Sequence, residues 1–150
     1  MKTLLCFLCF LLSFTAFGQK KKTIPKADFT KYWTEFKTAL QKQDKKKVAD
    51  FCEFEFYYIR ISDKTTQEDE RVEITRRGFL KEDYERLFNA EIRKVIANTT
   101  PQDFSIDPND PEKRVLVVAL KNKQNQPVKR RFFFTISENK YYLTMIDEAK

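Results

Sequence analysis

The sequence predicts an α+β domain in which N-terminal helices pack on a curved antiparallel sheet that ends in a C-terminal three-stranded meander. Three features predict it. Phe29, Trp33, Phe36 and Leu40 recur at spacings of four, three and four, which is one face of a helix. From Arg114 onward apolar residues alternate instead, as along half-buried strands. The turns between those later segments are short, so successive strands run antiparallel. Helices first and strands last is the order of an α+β domain.

The chain opens with a segment that reads as an address rather than as part of the fold. Met1-Lys2 gives a positive start, and Leu4 to Phe17 is an almost unbroken apolar run (LLCFLCFLLSFTAF). Ala16-Phe17-Gly18 sets small residues where a signal peptidase reads, so residues 1–18 are expected to be removed, leaving Gln19 first. The run is shorter than the roughly 20 apolar residues a membrane-spanning helix needs. No lipid-attachment box precedes Cys6 or Cys9. Export through a cleaved signal peptide, to the periplasm or the exterior, is therefore the expectation. Residues 19–27 form a basic, Pro-containing lead, expected to be mobile, and residues 28–150 form one domain.

Within that domain Asp28 is placed to cap a helix running from about Phe29 to Lys42, with Tyr32 and Ala39 widening its apolar face. Asp44 caps a second, short helix that turns Val48 and Phe51 inward. Glu53 to Ile61 (EFEFYYIRI) has the aromatic and branched alternation of a strand, and residues 62–70 read as a polar loop. Residues 71–74 suit a brief strand. Thr75 caps a third helix with Phe79, Leu80, Tyr84, Leu87 and Phe88 on its apolar face. Ile92, Val95 and Ile96 lie on its continuation or on another short helix. Asn98 to Lys113 carries three prolines among Asp and Asn residues and reads as a connecting loop. Arg114–Leu120, Pro127–Ile136 and Tyr141–Ile146 are the meander strands. Val128, Phe132, Phe134 and Ile136 share one face of the middle strand.

Composition closes several chemistries. The chain has 150 residues with 29 Lys+Arg against 22 Asp+Glu, a formal charge of +7, no histidine, three cysteines and two glycines. Without an imidazole there is no Ser-His-Asp triad, no Cys-His pair and no histidine-ligated metal. With so little glycine there is no glycine-rich phosphate loop. Hydrophobic residues make up 41% and aromatic ones 15%, enough to fill a core, so the high charge does not imply disorder. Trimming the leader would leave Cys52 as the only cysteine, which forms no internal disulfide and reads as a small buried hydrophobe.

The order helix, short helix, strand, capped helix and three strands resembles the nuclear-transport-factor-2-like superfamily, also called the ketosteroid-isomerase-like or cystatin-like cone fold. The resemblance rests on Phe29–Leu40 (FTKYWTEFKTAL), Ile74–Phe88 (ITRRGFLKEDYERLF) and Lys140–Ile146 (KYYLTMI), and points to the small exported domains of this kind in Bacteroidetes-type bacteria. It implies a pocket between sheet and helices. It implies no single activity, because such folds host isomerases, dehydratases, binding domains and immunity or adaptor proteins. Isomerases of that kind use an Asp base beside a Tyr or protonated Asp. Asp83-Tyr84 is the nearest approach here, but adjacent helix residues point about 100° apart. No catalytic residue, metal ligand or cofactor is assigned.

The ligand-binding candidates are Arg60, Arg130, Tyr58 and Tyr84. Arg60 shares strand parity with Phe54, Phe56 and Tyr58, and Arg130 shares it with Val128, Phe132 and Phe134. If those faces are the inner ones, both guanidinium groups stand at a pocket mouth, where they suit a carboxylate or phosphate. The plainer alternative is that their stems cover the core edge and their charges reach water, or that Glu53 and Glu55 pair with them. Tyr84 otherwise continues the core spacing from Leu80 to Phe88. Glu82, Asp83 and Glu85 alternate with Lys81 and Arg86 as a solvated face does. Asp103, Asp107 and Asp110 lack the glycine and closing glutamate of a calcium loop.

Basic clusters at Lys20–Lys22, Lys42 with Lys45–Lys47, and Lys129-Arg130-Arg131 suit solubility, or peripheral contact with an anionic envelope surface or acidic partner. The export signal and the lack of a recognition motif argue against nucleic acid. In Phe132-Phe133-Phe134 the middle ring faces away from its neighbours, under a helix or a partner subunit or with an exposed edge, which suits weak homodimerisation. The reading is an exported, non-enzymatic domain that binds a small anionic or apolar ligand or a protein. The rival readings are an isomerase- or dehydratase-type enzyme using Asp and Tyr, and an interaction or immunity-type protein that uses its sheet face.

Overall fold

The computed structural model describes residues 27–61, 68–122 and 125–149. The signal segment, nearly all of the lead and most of the 62–70 loop lie outside the described residues. The α+β order holds: helices cover one face of a curved six-stranded sheet.

Helix α1 spans Phe29–Gln41, with the Asp28 carboxylate accepting the Lys31 N–H at 3.1 Å. It buries Phe29, Tyr32, Trp33, Phe36, Ala39 and Leu40, the stripe predicted from spacing. The helix stops in a Schellman turn. Gln43 takes φ 52°, its N–H donates to the Leu40 carbonyl, and the Asp44 N–H donates to the Ala39 carbonyl. Asp44 then caps α2 (Lys45–Ala49), which buries Val48 and Ala49. Strand β1 (Cys52–Arg60) pairs antiparallel with β2 (Glu70–Ile74), with Tyr58 opposite Val72 and Arg60 opposite Glu70.

The Thr75 hydroxyl accepts the Gly78 N–H and starts α3. This helix runs through Arg76–Gly78, a π-helical stretch Phe79–Asp83, and Tyr84–Leu87. The wider π turn keeps Phe79, Tyr84, Leu87 and Phe88 all fully buried. Helix α4 (Ala90–Asn98) is a separate element, capped by the Asn89 side chain, and buries Ile92 and Ile96.

The predicted loop from Asn98 to Lys113 is corrected by the structure. It contains a 3-10 turn (Pro101–Asp103), a short strand β3 (Ser105–Asp107) and the start of β4 (Asp110–Lys121). Each proline sits where a missing N–H is tolerated. Pro101 opens the turn, Pro108 lies between strands, and Pro111 precedes Arg114, the first β4 residue paired with β5. Strand β5 spans Pro127–Ser137 and β6 spans Lys140–Ala149, joined through Glu138 and Asn139 at φ 48° and 63°. The meander therefore has four strands, β3 to β6, rather than three.

The sheet order is β2-β1-β6-β5-β4-β3. Every neighbouring pair is antiparallel except β1 and β6, which run parallel with Tyr58 beside Ile146. Alternation fixes which side chains point inward; it does not fix the direction in which a strand is inserted. A bulge at Thr144 offsets the β5–β6 register between Phe133↔Met145 and Phe134↔Leu143 and bends the sheet.

Candidate functional site

The space between helices and sheet, where the resemblance implied a pocket, is occupied by rings. Trp33, Phe36, Phe56, Phe79, Tyr84, Phe88, Phe132 and Phe134 are each less than 2% exposed. Phe134 sits at the centre, 5.7–6.2 Å from the rings of Phe29, Tyr32, Trp33, Phe36 and Phe104. The Trp33 indole N–H donates to the Thr99 carbonyl, so this interior is tied to the end of α4.

Three of the four ligand-binding candidates come together at one rim. Arg130 stands 5.7 Å and Arg86 4.9 Å from the Tyr58 ring centre. The inner-face prediction holds for Arg130, but its charge is committed. Nε donates to Glu148 at 2.9 Å, and Nη1 donates to the Arg86 and Leu87 carbonyls at 3.1 Å each. Arg130 thus closes the C-terminal end of α3, where a cation is favoured. Arg60 is exposed and donates to Glu70 at 2.6 Å. Burial works against its guanidinium charge, but Tyr58, Glu70 and Glu148 more than offset it. The partners are thus Glu70 and Glu148; Glu53 and Glu55 do not serve. Strand parity carries no sign of these carboxylates, which come from the neighbouring strands β2 and β6.

Tyr84 stands apart from that rim. It is fully buried against Phe79 and Phe88, with Lys45 Nζ 5.3 Å from its ring centre. Its hydroxyl has no hydrogen-bond partner among the described residues. Burial raises its pKa, and Arg93 partly opposes that. Asp83 turns away from it and accepts from Arg86 at 2.7 Å. Among the described residues no cluster of three His, Cys, Asp or Glu side chains is placed to hold a metal ion. Cys52 is buried, its thiol donates to the Val48 carbonyl at 3.4 Å, and burial raises its pKa.

The outer face of the sheet carries what the interior lacks. Tyr57, Met145, Phe133 and Val115 lie in register across β1, β6, β5 and β4. Ile59, Asp147, Arg131 and Val117 form the adjacent row. No helix among the described residues covers Phe133, yet only 7% of it is exposed. Lys113 and Arg131 lie 5.2 and 5.4 Å from its ring centre, and Arg71 lies 3.6 Å from that of Tyr57. Val117 is 47% exposed. Arg131 and Asp147 form a two-pronged ion pair at 2.7 and 2.6 Å in the middle of the face.

The β1–β2 end of this face is acidic. Glu55 hydrogen-bonds and repels Glu73, raising its pKa, while Arg71 works the other way. The folded state therefore keeps this proton to a higher pH than the unfolded chain does. Stability is gained as pH falls through the raised value, and the repulsion is fully present once both groups are ionised. Glu55→Gln should raise the thermal midpoint at pH 7. The gain should vanish below about pH 4, where the unfolded glutamate is also protonated. Melts followed by circular dichroism at both pH values check this; an equal gain at both would show that the pair is not responsible.

Neither a family model nor a curated protein matches the chain. It is similar to several solved structures. One is a DUF4783 family protein from Bacteroides ovatus ATCC 8483 (9% identity, TM-score 0.40, covering 77% of this chain and 92% of that one). Another is an NTF-2 like protein of unknown function from Shewanella oneidensis MR-1 (10%, 0.42, 80% and 94%). A third is an NTF2-like protein from Burkholderia xenovorans LB400 (14%, 0.39, 79% and 85%). Likeness at this level assigns neither an activity nor a residue role.

Proposed function

We propose that this chain is an exported, non-enzymatic interaction domain whose working surface is the outer face of the sheet and whose partner is a second copy. The carrying observation is the contrast between the two faces. The inner one is filled by rings, while the outer one carries an apolar row that is buried or half-buried beside cationic side chains, with Val117 exposed in the adjacent row. Association would cover Val117 and the half-buried apolar side chains around it.

The face is self-complementary. Glu55 and Glu73 stand at one end beside Arg71, and Lys113, paired with Asp107 at 3.0 Å, stands at the other. A two-fold axis along the strands between β5 and β6 lays the acidic end of one copy on Lys113 of its partner. The same axis sets Ile59 over Val117 and Met145 over Phe133, so both rows close without burying an unpaired charge.

Sedimentation velocity across a concentration series tests this reading. A reversible monomer–dimer equilibrium is expected for the parent chain. Val117→Glu adds a carboxylate within the contact, opposite Ile59 of the other copy and at a site exposed in the monomer, and should leave a folded monomer at every concentration. Self-association unaffected by Val117→Glu, or a parent that stays monomeric at its highest soluble concentration, would overturn it.

A further inference from the structure

An open cleft of about 550 Å³ lies beside α1 and shares no residue with the outer sheet face. Its walls come from three places: the exposed side of α1 (Lys31, Glu35), the α2–β1 junction (Lys47, Phe51), and the β5–β6 turn with the strand after it (Lys140, Tyr142). The volume suits a small molecule. The Tyr32 hydroxyl donates to the Phe51 carbonyl at 3.1 Å, and the Leu143 N–H donates to the same oxygen at 2.9 Å, so the aromatic corner is fixed to both helix and sheet. Phe51 and Tyr142 are only half-buried and offer ring surface to the cleft.

The charges around it are unbalanced once commitments are counted. The Asp28 carboxylate accepts the Lys31 N–H as the α1 cap and keeps its negative charge. The Asp50 carboxylate accepts from Arg76 at 2.6 Å. Lys31 and Lys140 have no ion-pair partner among the described residues, and Lys47 stands over the Phe51 ring at 5.3 Å rather than on a carboxylate. Asp28 and Glu35 thus set two carboxylates without a salt-bridge partner among the described residues against three such ammonium groups, an excess of one positive charge on the wall. From this surplus of cations beside fixed rings we infer that the cleft binds a small anion, phosphate-, sulfate- or carboxylate-bearing, attached to a flat apolar group. The lysines hold the anion as point charges, and Phe51 and Tyr142 take the flat body. The sequence gives no sign of this site, because its cations stand on three elements far apart along the chain.

Phenyl phosphate is the probe, titrated into isotope-labelled full-length protein and followed by amide NMR. Saturable shifts are expected at Lys31, Phe51, Lys140 and Tyr142. Inorganic phosphate, which lacks the ring, and benzyl alcohol, which lacks the charge, should each bind at least about tenfold more weakly, as expected when each half contributes about 1.4 kcal/mol or more. Lys31→Glu with Lys140→Glu should weaken phenyl phosphate by at least the same factor. Both sites are on the surface, and unchanged amide shifts elsewhere verify the fold. Absence of saturable shifts at these amides, equal binding of either half-probe, or affinity unchanged in the double variant would each overturn the assignment.

Discussion

Replacing Phe134 by alanine should destabilise the domain by about 3–5 kcal/mol, the usual cost of removing a buried phenylalanine. The side chain is fully buried and meets five other rings, four from α1 and that of Phe104 ahead of β3. Those rings are held by their own elements: Trp33 by its bond to Thr99, Tyr32 by its bond to Phe51. The site therefore collapses poorly, and the void persists. A domain of this size has about 5–15 kcal/mol in total, so the loss takes a large share of it. Urea unfolding followed by tryptophan fluorescence reads the effect directly, because Trp33 lies 5.9 Å from the deleted ring. Phe134→Leu should lose clearly less. Equal losses for the two variants would mean that ring packing is not what holds this centre together.

That centre was legible in the sequence because both of its layers obey simple periods. The four-three-four spacing of α1 and the alternation of β5 each name their inward residues without reference to the other. Caps were equally legible: Asp28, Asp44 and Thr75 all accept the N–H expected of them. The segment from Asn98 to Lys113 was not, because β3 is an edge strand of three residues whose pairing depends on β4 rather than on its own alternation. The π-helical stretch of α3 was also invisible. It shifts the register by a single residue within a stripe that is apolar throughout. The proposed binding surfaces were the least legible. A row such as Tyr57, Met145, Phe133 and Val115 draws one residue from each of four strands, and neighbours across a sheet leave no trace in local spacing.

Arg130 shows the same limit with the largest electrostatic consequence. Parity placed its guanidinium on the inner face, where a bound anion was one way to satisfy it. The structure satisfies it internally, through Glu148 and the carbonyls of Arg86 and Leu87. Arg130→Met removes a cation whose side chain is 9% exposed and leaves Glu148, at 18%, without its partner. Breaking a buried pair from one side costs about 3–5 kcal/mol, because the remaining charge is desolvated and unpaired. Arg130→Met with Glu148→Leu removes both charges and should recover much of that loss, since an apolar pair of similar volume is often neutral. Recovery should stay incomplete, because the two α3 carbonyls lose their donor in either variant and each unsatisfied buried acceptor costs about 1–3 kcal/mol. Chemical denaturation of the parent and the three variants, the third being Glu148→Leu alone, gives the coupling energy. A cycle with no coupling would show that the ion pair is incidental and would return Arg130 to the role of a free cation at the rim.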